Sequence, residues 1–322
     1  MSRFKWLLCN TTFCATLAHM PAPALTLAVF SIPAPVFWPY FAGFAILGIG
    51  LPIILKNEVP QAHGLDKLMP FGRLFYAIPL AVFAGEHFTL AGLMAPMVPS
   101  WIPAHVFWIY LVGVALVAAA LSIVVKKYSQ LAATLLGSMI LLFVVLLHIP
   151  RVAANPRDRI SWAVALRDLS FSGGAFAFAG AQQKLHSKTP TALLVTLARY
   201  SFAATAIFFG VEHFLHPEFA PGVPLGKITP TWIPLRLFWA YLAGVVLLVT
   251  GASLLLNKKS RLAATILGLT ILLIVLVIYL PIELSIPSDI GNGLNYIADT
   301  LMFSGAALLL AQALPKEDQP HA

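Results

Sequence analysis

WIPAHVFWIYLVGVALVAAALSIVVKKYSQLAATLLGSMILLFVVLLHIP, residues 101–150, is answered further along the chain by WIPLRLFWAYLAGVVLLVTGASLLLNKKSRLAATILGLTILLIVLVIYLP, residues 232–281. The two stretches align without a gap. Trp101-Ile102-Pro103 matches Trp232-Ile233-Pro234, Phe107-Trp108 matches Phe238-Trp239, and Leu131-Ala132-Ala133-Thr134 matches Leu262-Ala263-Ala264-Thr265; Tyr110, Gly113, Gly137 and Pro150 match Tyr241, Gly244, Gly268 and Pro281. Shared hydrophobicity alone does not align tryptophans, glycines and prolines, so the pattern reads as a duplicated supersecondary unit. Each copy holds two nearly uncharged runs, residues 102–125 and 128–149 in the first and 234–256 and 261–282 in the second. Each run is close to the roughly 20 residues a helix needs to span a hydrocarbon core. Backbone in lipid must satisfy its own hydrogen bonds, and the ten-residue alternation of a membrane barrel is absent, so the expected fold is an all-α integral membrane protein.

Outward from this core the correspondence continues. Arg73 and Gly85-Glu86-His87-Phe88 correspond to Arg199 and Val211-Glu212-His213-Phe214, and Phe171-Ser172-Gly173 corresponds to Phe303-Ser304-Gly305. Residues 69–188 and 189–314 are thus expected to be two tandem, parallel four-helix bundle units related by an axis along the membrane normal. A partial copy precedes them in residues 1–68, where Ile32-Pro33-Ala34 with Val36-Phe37-Trp38 echoes Ile102-Pro103-Ala104 with Val106-Phe107-Trp108. The polar tail, residues 315–322, is expected to be disordered.

The chain has 322 residues, 60% of them hydrophobic and only 10% charged, against roughly 25% charged in soluble domains. Its formal charge of +8 sits in short segments between apolar runs, which signals membrane orientation and not a nucleic-acid partner. Placing Lys126, Lys127, Lys184, Lys188, Lys258, Lys259 and Arg261 in the cytoplasm gives about ten crossings with both termini inside a cell membrane, although the opposite loops carry Arg151, Arg157, Arg159 and Lys227. The two cysteines, Cys9 and Cys14, imply no disulfide framework. The first 30 residues read as a short crossing or re-entrant segment interrupted by Pro21 and Pro23.

A four-helix unit opened by an Arg, with a Gly-x-His-Phe or Gly-x-Glu-His-Phe run near the far end of its first helix and a Gly-rich fourth helix, resembles the DoxX-like membrane proteins. The elements that carry the resemblance are Arg73, Gly85 through Phe88 and Phe171-Ser172-Gly173-Gly174, then Arg199, Gly210 through Phe214 and Phe303-Ser304-Gly305. The resemblance covers about residues 69–314. It implies a membrane subunit of a redox complex, with quinone as the implied cofactor and a soluble or membrane redox protein as partner beside the membrane lipids.

Counting along the helices at about 1.5 Å per residue brings the polar groups to one level. Glu86 and His87 on the first helix of a unit, Trp108 and Tyr110 on the second, and Arg167 and Asp168 on the fourth form this layer, repeated as Glu212, His213, Trp239, Tyr241 and Asp299. Ionisable groups in spanning helices pair with one another or mark a functional path. Three readings stay open. In one, Glu86 and Arg167 form a structural ion pair; in another, Arg167 and His87 donate to a ligand or quinone walled by the aromatic residues; in the third, the layer ligates a metal or haem. Arg167 aligns with Asp299, a difference that reads either as opposite charges meeting across the two units to lock them together or as simple divergence of the copies. Glu212, His213, His216 and Glu218 have a spacing that a zinc ion could use, but Pro217 ends the helix there, and a polar helix end is the plainer reading. No phosphate-binding loop, Ser-His-Asp set, HExxH or CxxC is present, which excludes ATP-driven transport by this chain alone. A small-solute carrier or channel and a ligand-free scaffold remain the alternatives to the redox subunit.

Overall fold

The computed structural model describes residues 32–186, 192–286 and 290–315. Among the described residues the chain forms nine long helices and no strand, beyond a single bridge between Phe219 and Ile228. They are α1 (Ala34–Asn57), α2 (Phe71–Thr89), α3 (His105–Val125), α4 (Ser129–Ala154), α5 (Arg159–His186), α6 (Ala192–Leu215), α7 (Arg236–Leu255), α8 (Ser260–Ser285) and α9 (Ile290–Ala313). Eight helices are long and apolar enough to cross a membrane, and they make this a multi-pass membrane protein. The ninth, α5, is long enough but carries Arg167 and Asp168 among serines and glycines. The crossing expected within residues 1–30 and all but the first residue of the polar tail lie outside the described residues.

Local geometry recurs at one offset along the chain. Non-glycine residues with positive φ fall in three corresponding pairs, Ala104 with Leu235, Lys126 with Asn257 and Tyr128 with Lys259. Each is a left-handed residue at a helix end, where an L side chain is uncommon. The long apolar helices α4 and α8 both pass through a π turn, Val144–His148 and Val275–Tyr279, just before Pro150 and Pro281. Proline cannot donate the i→i−4 bond, and a widened turn accommodates the missing donor.

Helices α2 to α9 follow one another round a closed ring, each packing on the next and α9 returning to α2, with α5 and α9 also packed together across the middle. The fourth helix of each segment therefore docks on the first helix of the other. A Cβ at Gly305 of α9 would strike the backbone of Phe75 and Tyr76, and one at Gly173 of α5 would press on the backbone of Ala198. Small residues at these points let helices approach in lipid, where no hydrophobic force drives them together. These glycines face the opposite segment and close the ring there. Beneath the ring's polar ends the core is apolar, with Leu74, Leu80, Phe202, Phe209 and Phe303 buried and the Phe202 and Phe303 rings 5.5 Å apart.

Ionisable side chains gather at the two ends. At the end marked by Lys126 and Lys258, Glu58 pairs with Arg73 and, at 2.8 Å, with Lys126. Arg199 donates to the carbonyl of Leu254, while Arg261 reaches Asp66 at 2.7 Å and the carbonyl of Ala311 at 3.1 Å. Such arginines satisfy the carbonyls left open at helix C-termini.

Candidate functional site

The opposite end holds the chemistry. Arg167 stands eight residues into α5, roughly 12 Å below its start. Its Nε donates to Asp168 at 2.8 Å and its Nη1 to Asp299 of α9 at 2.7 Å. Asp168 also takes a 2.8 Å bond from Nε2 of His148. His148 closes the π turn of α4, and the extra residue in that turn shifts the phase of the helix, which sets the ring toward α5. The Arg167 guanidinium lies 5.6 Å from the Phe171 ring. Glu86 of α2 lies near the side chains of Asn295 and Asp299. A continuous chain of polar groups thus runs His148, Asp168, Arg167, Asp299, linking α4, α5 and α9, with Glu86 and Asn295 beside it. Arg167 and Asp168 keep side-chain exposures of 18% and 14%, and Nη2 of Arg167 has no protein partner among the described residues.

The second segment places a different structure at the corresponding level. Glu212 of α6 pairs at 2.8 Å with Arg159, from the first turn of α5. The loop after α6 folds inward, and Ala220, Val223 and Leu225 are buried. Backbone groups buried this way need partners, and the loop finds them. Arg159 donates to the carbonyls of Pro224 at 3.1 Å and Leu225 at 3.2 Å and lies 4.1 Å from the Phe219 ring. The Gly222 N–H donates to Nε2 of His213 at 2.8 Å, while Nδ1 of the same ring donates to the Phe209 carbonyl at 2.5 Å. Gly222 has φ of +104° and sits against Thr300 and Ile271, so a glycine is required there. The Tyr279 hydroxyl, which corresponds to His148, reaches the Ala220 carbonyl at 3.4 Å.

Of the residues singled out from sequence, Arg167, Asp168 and Asp299 come together. Glu86 neighbours them through Asp299 but does not pair with Arg167, whose two salt-bridge partners are both aspartates. His87 turns away, its Nδ1 donating to the Phe83 carbonyl at 2.7 Å. Trp108, Tyr110 and Tyr241 are more than 40% exposed on the outer surface, so they do not wall an interior site; Trp239 is half-buried. Tyr110 stacks on Phe88 at 6.3 Å and Tyr241 on Phe214 at 5.6 Å, which joins first and second helices in both segments. His216 pairs with Glu218 at 3.5 Å at the surface while His213 points inward, so the candidate zinc set does not converge. Three participants escaped the sequence reading: His148, Arg159 and Asn295. His148 was visible as an ionisable residue within an apolar run, six residues from the end of α4.

Comparisons with family models, with curated proteins and with solved structures find no match to this chain.

Proposed function

We propose that the chain is a DoxX-like membrane subunit built from two tandem copies of a four-helix unit after a partial third, with its termini and Lys126 on the cytoplasmic side. In this reading the opposite end carries a site for the head of a quinone, and a separate redox protein supplies or removes the electrons. The observation that carries the proposal is the Nη2 edge of Arg167, which no described residue bonds, in a partly accessible polar layer. A guanidinium donor suits a carbonyl-bearing ring. His148, Asp168 and Glu86 line the same layer as groups able to hold or pass a proton. The quinone would supply the two-electron chemistry, and this chain's residues would bind it and keep water from it.

The test is extraction of the purified protein followed by mass spectrometry for bound quinone. Wild type should carry it, and Arg167→Lys, which keeps the charge but loses the planar fork, should lose most of it. No quinone in wild type defeats the proposal. A ligand-free scaffold is the second reading, favoured by both aspartates already being bonded to Arg167. A carrier is not favoured, because the buried core between the two polar ends is lined by leucine and phenylalanine.

A further inference from the structure

His87 of α2 and His213 of α6 are held by the same contacts. Each ring donates from Nδ1 to a carbonyl one turn back, Phe83 at 2.7 Å and Phe209 at 2.5 Å. Each histidine lies against a glycine of the next helix, where a Cβ on Gly113 or on Gly244 would come within 3.1 Å of the histidine Cβ. The neighbouring rings agree too, Phe88 stacking on Tyr110 and Phe214 on Tyr241. A carbonyl only accepts, so in both segments the ring carries its proton on Nδ1 and leaves a lone pair on Nε2, the corner aimed off its own helix.

In the second segment the chain itself uses that lone pair. The Gly222 N–H donates to Nε2 of His213 at 2.8 Å, and Gly222 sits there against Thr300 of α9 and Ile271 of α8. In the repeat correspondence these two positions are Asp168 and Ile140, so Nε2 of His87 is aimed at the Asp168 side of the polar layer. No loop arrives there in the first segment, whose loop keeps Leu93 and Met97 exposed, and no described residue bonds Nε2 of His87. An acceptor of this kind is completed only by a group with an N–H or O–H. Nη2 of Arg167 adds a donor to the same layer. A quinone offers acceptors alone, whereas a hydroquinone offers hydroxyl hydrogens as well as oxygen lone pairs. Resting on the quinone reading above, we propose that His87 is a ligand-binding residue that accepts a hydroxyl hydrogen at Nε2, and that the site holds the hydroquinone more tightly than the quinone.

Equilibrium dialysis of the purified protein against matched micelles, under anaerobic conditions, with tetramethyl-p-benzoquinone and its hydroquinone as probes, tests the proposal. Wild type should bind the hydroquinone about tenfold more tightly, the factor that one ordinary hydrogen bond gives. His87→Phe, which keeps a ring on Gly113 but has no acceptor, should bind both forms alike. His87→Gln, with an amide oxygen to accept in place of Nε2, should retain part of the preference. In wild type carrying nitrogen-labelled histidine, the Nε2 resonance that is absent from His87→Phe should move toward the protonated position with hydroquinone and stay in place with quinone. Equal affinities in wild type with an unmoved resonance leave Nε2 to water and overturn the proposal while the quinone reading stands. A preference that survives in His87→Phe overturns it as well. Binding of neither form by wild type removes the quinone reading itself, and the proposal with it.

Discussion

The two segments begin from the same residues, Glu-His-Phe near the end of a first helix, and arrive at different ends. In the second, Glu212 has a cation of its own in Arg159, His213 is 2% exposed, and a buried loop fills the space above them. In the first, Glu86 and His87 are only half-buried, Glu86 has an amide, Asn295, beside it in place of a cation, and the loop after α2 stays outside with Leu93 and Met97 exposed. Identical motifs thus yield a sealed site and an open one. What decides between them is the fourth helix of the other segment: Arg159 clamps the loop at one end of α5, while the corresponding turn of α9 has Gly291.

The strongest way to break this comparison is Arg167→Ala. It strands Asp168 and Asp299 in a dry layer and should lower stability by about 3–5 kcal/mol. The double variant with Asp299→Ala should recover part of the loss, as a coupled pair requires. Thermal unfolding in detergent measures both, and additive losses would show that the two residues do not act together. Next in size, Arg159→Ala removes the cation paired with Glu212 and the donor to two loop carbonyls, an expected loss of about 2–3 kcal/mol. A cysteine at Val223 should become reactive in that variant and stay protected otherwise; protection in both would mean that Arg159 does not seal the site. Gly222→Ala should cost about 1–2 kcal/mol, because its backbone angle is hostile to a Cβ. The same change at Gly92, where a Cβ meets nothing, should be near neutral, and equal effects would erase the difference between the loops.

The smallest effect concerns pH. Asp158 precedes α5, and bonds from the Ser161 hydroxyl and the Ile160 N–H hold its carboxyl below the usual carboxylate range. A depressed folded-state pKa gives stability that is present above the unfolded value, near 4, and is lost as pH falls through the folded one. The wild-type melting temperature should therefore drop slightly more than that of Asp158→Asn between pH 5 and pH 3. A larger drop in the variant would reverse the sign and sink the assignment.

Much of the fold could be read from residue patterns. The apolar runs located the helices within a few residues, because lipid leaves the backbone no other solution. Charge opposition at Arg167 and Asp299 was visible from the internal alignment, and the structure joins them at 2.7 Å. Rotation about each helix axis was not visible. Depth placed Trp108 and Tyr110 beside Arg167, but their rings point outward, since position along a helix says nothing about which neighbour a face will meet. His148 stayed hidden for the same reason: the π turn that aims it adds a residue to one turn, and periodicity assumes 3.6. The inward loop at 220–225 was missed because its partners, Arg159 and Tyr279, lie far away in sequence.

The docking of α9 onto α2 also orders events during synthesis. Gly305, which seats α9 against α2, follows Gly72 by roughly 230 residues, so at about 5–20 residues per second α2 waits ten seconds or more in the bilayer before its partner exists. Glu86 waits with it, since Asn295 emerges only on that last helix. A ribosome stalled anywhere in α9 would therefore leave the first half of the protein unfinished as well as the second, and quality control in the membrane would meet one long-lived precursor in place of a completed bundle and a fragment.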